Sequence, residues 1–98
     1  MTITMTTEGN ALTVALDGRL DTVTTPELEK ELMGALDEIQ ELTFDFEKLS
    51  YISSAGLRIL LSSQKIMNTK GTMKVVHVNE NIMEIFEATG FTDVLTIE

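Results

Sequence analysis

The stretch "LTFDFEKLSYISSAGLRILL", Leu42–Leu61, passes from an alternating apolar segment through two serines and a glycine into a segment of helical spacing. In its first part Leu42, Phe44 and Phe46 share one face of a short strand, while Thr43 and Asp45 point the other way. From Ser54 onward apolar residues recur at helical intervals to about Lys70, and Gly71 closes the segment. A strand that feeds straight into a helix is the first half of a parallel crossover unit.

The flanking sequence repeats the theme. Upstream, "TTPELEKELMGALDEIQ" sets Leu28, Leu32, Leu36 and Ile39 on one helical stripe, with Thr25 expected as N-cap, Pro26 at the first helical position and acids in the first turn. Before it, "TITMTT" and "ALTVALD" alternate as two strands joined by a tight turn at Gly9-Asn10. Downstream, "TMKVVHV" reads as a strand with Met73, Val75 and His77 on one side and Val76 and Val78 on the other. Asn79 then caps a helix carrying Ile82, Ile85 and Phe86, Gly90 ends it, and "DVLTI" supplies a last strand. The order strand, strand, helix, strand, helix, strand, helix, strand predicts an α/β fold. Its sheet should be mixed and mostly parallel, with an antiparallel strand at the N-terminal edge. No linker, repeat or composition shift divides residues 1–98, so the chain is read as one domain. The loops "DGRLDTVTT", "SYISSAG" and "VNEN" fall at the carboxyl ends of the parallel strands, where function gathers in such sheets.

Composition narrows the chemistry. With 43% hydrophobic and 23% charged residues the chain is long enough to bury a core without staples. Cysteine is absent, which removes disulfides, thiolate metal sites and cysteine nucleophiles. Sixteen acidic against seven basic residues give a net charge of −9, which repels nucleic-acid phosphates and anionic lipid surfaces, so neither is expected as a direct partner. No apolar run approaches a membrane span and no signal peptide opens the chain, so a cytoplasmic location is expected. Six methionines are expected mainly in the interior.

The serine pair admits several readings. The plain one makes Ser53 or Ser54 an N-cap, with Gly56 letting the helix approach the sheet closely. A nucleophilic serine needs a base, and the only histidine, His77, is expected to face the core from its strand. "SSAG" lacks the glycine spacing and lysine of a phosphate-binding loop. Asp17, Asp21, Asp45 and Glu47 come with no histidine partner in the pattern, so no metal site and no cofactor are expected, and the chain is not read as an enzyme. A covalent phosphate is a further reading beside the cap: at a helix N-terminus it meets free amides and the positive end of the dipole, so the fold should tolerate it while the surface changes sign. On the following helix Arg58, Ser62 and Lys65 make only a narrow polar stripe. Either neighbouring elements bury the surplus apolar arc, or Leu57 and Leu61 form an exposed docking edge beside the serines.

"GRLDTVTTPELEKEL", then "DFEKLSYISSAGLRILL", then "GTMKVVHVNENIMEIFEATGF" together resemble the STAS domain family, in particular the bacterial anti-sigma factor antagonists, over Leu12 to Ile97. The resemblance implies a β–α superhelix around a mixed sheet. It also implies a binding switch: the unphosphorylated protein binds an anti-sigma factor that is also a serine kinase, and phosphorylation dissolves the complex until a PP2C-type phosphatase reverses it. The family's "D-S-S/T-G" motif falls on Ser53-Ser54-Ala55-Gly56, so the resemblance places the modified residue at Ser54, with Ser53 as runner-up. Its "G-E-L-D" turn falls on Gly18-Arg19-Leu20-Asp21 and sets Asp21 beside the site. The implied contact surface is Asp21, Ser53, Ser54, Ala55, Gly56, Leu57, Arg58 and Leu61, on a chain expected to be a monomer when free. Ser53 stands in place of the motif's aspartate, Ala55 replaces the second hydroxyl, and Arg19 replaces the glutamate. The family also contains adaptor subunits, for example of lipid-transport ABC systems, which use such a surface without phosphate.

Overall fold

A computed structural model describes residues 1–98. The elements run β1 (Thr2–Glu8), β2 (Ala11–Leu20), α1 (Thr25–Ala35), β3 (Glu41–Ile52), α2 (Ser54–Asn68), β4 (Thr72–Val76) and α3 (Glu80–Thr89), followed by a 3-10 turn at Phe91–Asp93. The strands lie in the order β1-β2-β3-β4; β1 is antiparallel to β2, and the other two pairings are parallel. The mixed sheet with its antiparallel N-terminal edge is therefore the one the alternation predicts.

The core follows from strand alternation. Leu12, Val14 and Leu16 of β2 pair in register with Leu42 and Phe44 of β3 or Ile3 and Met5 of β1, and this face is sealed. Ala11, Thr13 and Ala15 on the other face remain half-exposed. Leu28 and Leu32 from α1, Leu60 and Met67 from α2, and Ile82 and Phe86 from α3 complete one apolar cluster. Fully burying a side chain of this size contributes about 1.5–3 kcal/mol.

Local differences from the sequence reading have physical causes. β3 continues from the expected "LTFDF" to Ile52, because irregularities in its pairing with β2 re-phase the alternation and bring Leu49 and Ile52 back into the core. β4 stops at Val76: His77 adopts φ +58 and leaves the strand, so it is exposed rather than turned to the core. The last strand reduces to a single parallel bridge, Val75 to Ile97, and Asp93 at its expected start belongs to the 3-10 turn. Helix α1 starts one residue earlier than expected, with Thr24 and not Thr25 in the capping position, and ends at Ala35 instead of near Ile39. Helix α2 closes at Asn68, two residues short of Lys70. Gly90 at φ +79 ends α3 in the left-handed conformation, which only glycine adopts freely. Among the methionines, Met67 and Met73 are buried but Met33 is 66% exposed, so the interior reading holds only in part.

Candidate functional site

Leu20 and Ile52 are paired neighbours at the carboxyl ends of β2 and β3, so the two loops that follow start side by side. The Ser53 amide donates to the Leu20 carbonyl at 2.8 Å, which locks the β3–α2 corner onto the β2–α1 loop. Ser53 is extended (φ −96, ψ 175), and its Oγ accepts from the Gly56 amide at 3.4 Å; Ser53, not Ser54, is the N-cap. Ser54 is the first helical residue and is exposed. Gly56 is required by packing: a Cβ there would lie 2.7 Å from Ile52 Cγ1 and 2.9 Å from Leu20 Cγ, neither of which is a mobile side-chain end. The absent side chain thus lets α2 close down on the sheet and holds the serine corner rigid.

Asp21 organises the neighbouring loop. Its Oδ1 accepts from the amides of Val23 at 3.0 Å and Thr24 at 3.1 Å, while the Thr24 hydroxyl donates to the Arg19 carbonyl at 2.7 Å and accepts from the Asp21 amide. The Thr24 amide is the main cause that holds the Asp21 carboxyl below its ordinary pKa; the Val23 amide and the Arg19 charge act in the same direction. Arg19 lies 3.8 Å from Asp21 and places its guanidinium 4.3 Å from the centre of the Tyr51 ring. Beside them Val23 is 81% exposed. Asp21, Arg19, Tyr51, Val23 and Ser54 therefore share one rim of the molecule, with charged, aromatic and apolar groups ready for contact.

The predicted contact residues divide. Ser54 and Arg58 are exposed, Asp21, Ser53, Ala55 and Leu61 are half-buried, and Gly56 is buried. Leu57 is 7% exposed and belongs to the core, so the Leu57–Leu61 edge is not an open docking patch; neighbouring elements cover it. Leu57 and Gly56 support the surface from beneath. Sequence reasoning missed Tyr51, which the register of β3 against β2 sets beside Arg19, the exposed loop residue Val23, and Thr24, whose role was assigned to the next threonine.

A second polar group lies at the β4–α3 corner. His77 Nδ1 stands 2.9 Å from Asp45 Oδ1, with Glu47 close enough that the three offer ligand atoms within 4.8 Å of one another. The Asp45 bond, then its charge, raises the His77 pKa. For Asp45, partial desolvation pushes upward, but bonding to His77 and to the Glu47 amide outweighs it and leaves the pKa lowered. The pair is accessible, and its two side chains are hydrogen-bonded to each other at the end of β4.

With this geometry in view, the chain matches the STAS domain family model over residues 2–98. It is a STAS domain. The anti-sigma-B factor antagonist of Staphylococcus aureus (strain NCTC 8325 / PS 47) is 29% identical over 99 residues, covering 99% of this chain and 92% of that protein. BtrV of Bordetella bronchiseptica, named as a candidate anti-sigma factor antagonist, is also 29% identical and is covered over 85% of its length. The unphosphorylated form of the anti-sigma factor antagonist SpoIIAA superposes with a TM-score of 0.86 at 15% identity, over 99% of this STAS domain and 88% of that chain. The phosphorylated form of SpoIIAA from Bacillus gives 0.78 over 99% and 91% of the two chains, also at 15% identity. The structural likenesses show the fold. No helix is long and apolar enough to cross a membrane.

Proposed function

We propose that this STAS domain is an anti-sigma factor antagonist whose unphosphorylated form binds a serine-kinase anti-sigma factor, frees a sigma factor in the cytoplasm, and is switched off by phosphorylation of Ser54. The observation that carries this reading is the state of the α2 N-terminus. Helices α1 and α3 each hold an acid in the first turn, Glu27 and Glu80, whereas α2 has none. On a chain of net charge −9 the positive end of α2 is thus left without a carboxylate, and its first residue is an exposed hydroxyl. A phosphate at Ser54 would supply the missing charge, which favours a modified state that stays folded. Ser53 is the weaker acceptor because it is half-buried and its Oγ already caps the helix.

The same dianion would stand on the rim formed by Asp21, Tyr51 and Val23. A docked partner would then have to desolvate or face two added charges, and adding an unpaired charge to a packed interface weakens it severely. A PP2C-type phosphatase would reset the switch, and the free protein acts as a monomer. The names of the relatives and the existence of SpoIIAA in phosphorylated and unphosphorylated forms support this reading.

The test is incubation with serine-kinase anti-sigma factors from the same organism, in ATP, followed by intact mass and fragment analysis. A gain of about 80 Da located at Ser54, and lost in Ser54→Ala, is expected. Binding without any gain in mass would favour a phosphate-independent adaptor instead.

A further inference from the structure

Away from the serine rim, three side chains of metal-binding type converge where β3 passes the end of β4. Asp45 and Glu47 are two residues apart on β3, so both project to the open face of the sheet, while Phe44 and Phe46 are buried on the other. The sequence pattern gives these acids no histidine partner, but the fold supplies one. Alternation would send His77 to the buried face with Met73 and Val75; at φ +58 its backbone turns out of the strand instead and brings Nδ1 to 2.9 Å from Asp45 Oδ1. The ligand atoms of all three residues lie within 4.8 Å of one another.

These distances suit a metal ion. With metal–ligand bonds of about 2.1 Å, neighbouring ligand atoms stand about 3.0–3.4 Å apart, from right-angled to tetrahedral geometry. His77 and Asp45 already have nearly that spacing, and their side chains are 60% and 26% exposed, so an ion can reach them. Both bonds to the Asp45 carboxylate, from His77 and from the Glu47 amide, fall on Oδ1 and leave Oδ2 free. The Glu47 carboxylate takes part in no ion pair, so rotation of this exposed side chain can close the remaining gap. Asp45 and Glu47 also border a recess of about 390 Å³ on the open face, which leaves room for water ligands. Asp17 adds a third carboxylate to its walls against Lys48 alone, and on a chain of net charge −9 the local field draws cations. Carboxylates by themselves would suit Mg²⁺ or Ca²⁺; one imidazole among them shifts the preference towards Zn²⁺ and its first-row neighbours.

We propose that Asp45, Glu47 and His77 form a Zn²⁺ site of three protein ligands completed by water on the side of the recess. The ion takes the place of the proton that lies between His77 Nδ1 and Asp45 Oδ1. From the neutral ring that proton moves to Nε2, and from the imidazolium it passes to water. Bound there, the ion ties the β4–α3 corner to β3. The proposal does not depend on the Ser54 switch.

The test is a calorimetric and amide-resolved NMR titration of the full chain, free of any polyhistidine tag, with ZnCl₂. Saturable binding of one equivalent, with shifts centred on Asp45, Glu47 and His77, is expected. Since even a residue that only supports a metal ligand is commonly worth tenfold in affinity, His77→Gln, an exposed change, should weaken binding roughly tenfold or more. Asp45→Asn and Glu47→Gln should each weaken it as well, whereas Glu29→Gln on α1, on the helical side of the sheet, should leave it unchanged. An equal concentration of Mg²⁺ should not compete. Absence of saturation at millimolar Zn²⁺, shifts scattered over the acidic surface, or wild-type affinity in His77→Gln would overturn the site. Displacement of Zn²⁺ by an equal concentration of Mg²⁺ would overturn the role of the imidazole.

Discussion

The β3–α2 and β4–α3 corners share a backbone plan and differ in what fills it. Ser53 and Asn79 are both extended N-caps, at φ −96, ψ 175 and φ −78, ψ 169. After them come Ser54-Ala55-Gly56 in one corner and Glu80-Asn81-Ile82 in the other. At the third helical position α3 fills the gap to the sheet with Ile82, which is fully buried, whereas α2 uses Gly56 and brings the backbone itself down. At the first position α3 carries its own carboxylate, while α2 presents a neutral hydroxyl. The α3 corner is electrostatically complete as synthesised; the α2 corner is equally well built but lacks the charge its helix would accept. That contrast is what makes Ser54 suited to a reversible charge.

The contrast can be broken at the third position first. Ile82→Ala leaves a cavity and should destabilise by about 2–5 kcal/mol in chemical unfolding. Gly56→Ala overpacks the other corner and should cost about 1–3 kcal/mol. If the alanine at 56 were neutral, the close approach would not be what fixes the corner. Next come the caps. Asn79 accepts from the Ile82 amide at 2.9 Å and donates to the Leu49 carbonyl, so Asn79→Ala should fall near the upper end of the cap range of about 0.5–2 kcal/mol. Ser53→Ala, with a cap bond of 3.4 Å, should fall near the lower end.

Charge at the first position sharpens the comparison further, with smaller effects of opposite sign. Ser54→Asp should raise stability, and Glu80→Gln should lower it, each by about 0.3–1 kcal/mol at low salt. The smallest effect concerns His77, whose raised pKa stabilises the fold fully below the unfolded value of about 6.5 and loses that stabilisation as pH rises through the higher folded value. Asp45, with a lowered pKa, gives stability that is present above about 3.9 and lost as pH falls through its folded value. The advantage of the wild type over His77→Gln should therefore shrink between pH 6 and 8 in parallel thermal unfolding scans; an advantage that grew with pH would contradict the pairing with Asp45.

Much of this was legible in the chain. Alternation in "ALTVALD" and "LTFDF" and helical spacing in "TTPELEKELMGALDEIQ" carried the mixed sheet, its antiparallel edge and its helices, because one-sided burial dictates period 2 in strands and 3.6 in helices. The serine corner was legible as a helix start, because a serine cap and a small residue in the first turn are what a helix lying close on a sheet requires; the family motif singled out Ser54 within it. Features set by register and backbone conformation were not legible. His77 looked inward by alternation, yet a left-handed residue breaks the alternation at that point and no residue-type signal marks it. Leu57 looked available as an edge residue, but the glycine before it draws that turn of the helix into the core. Thr24 and Thr25 are interchangeable by propensity next to Pro26, and only the three-dimensional structure ties Thr24 to the Asp21 loop and buries Thr25 in the first turn of α1.

The central claim is that a dianion at Ser54 changes what can dock while leaving the fold intact. Its most direct test is calorimetric titration of a serine-kinase anti-sigma factor from the same organism with this chain, once unmodified and once carrying phosphoserine at position 54. The prediction is stoichiometric binding by the unmodified protein and at least a hundredfold weaker binding by the phosphoprotein, a difference of about 2.7 kcal/mol. Equal affinity of the two forms would contradict it.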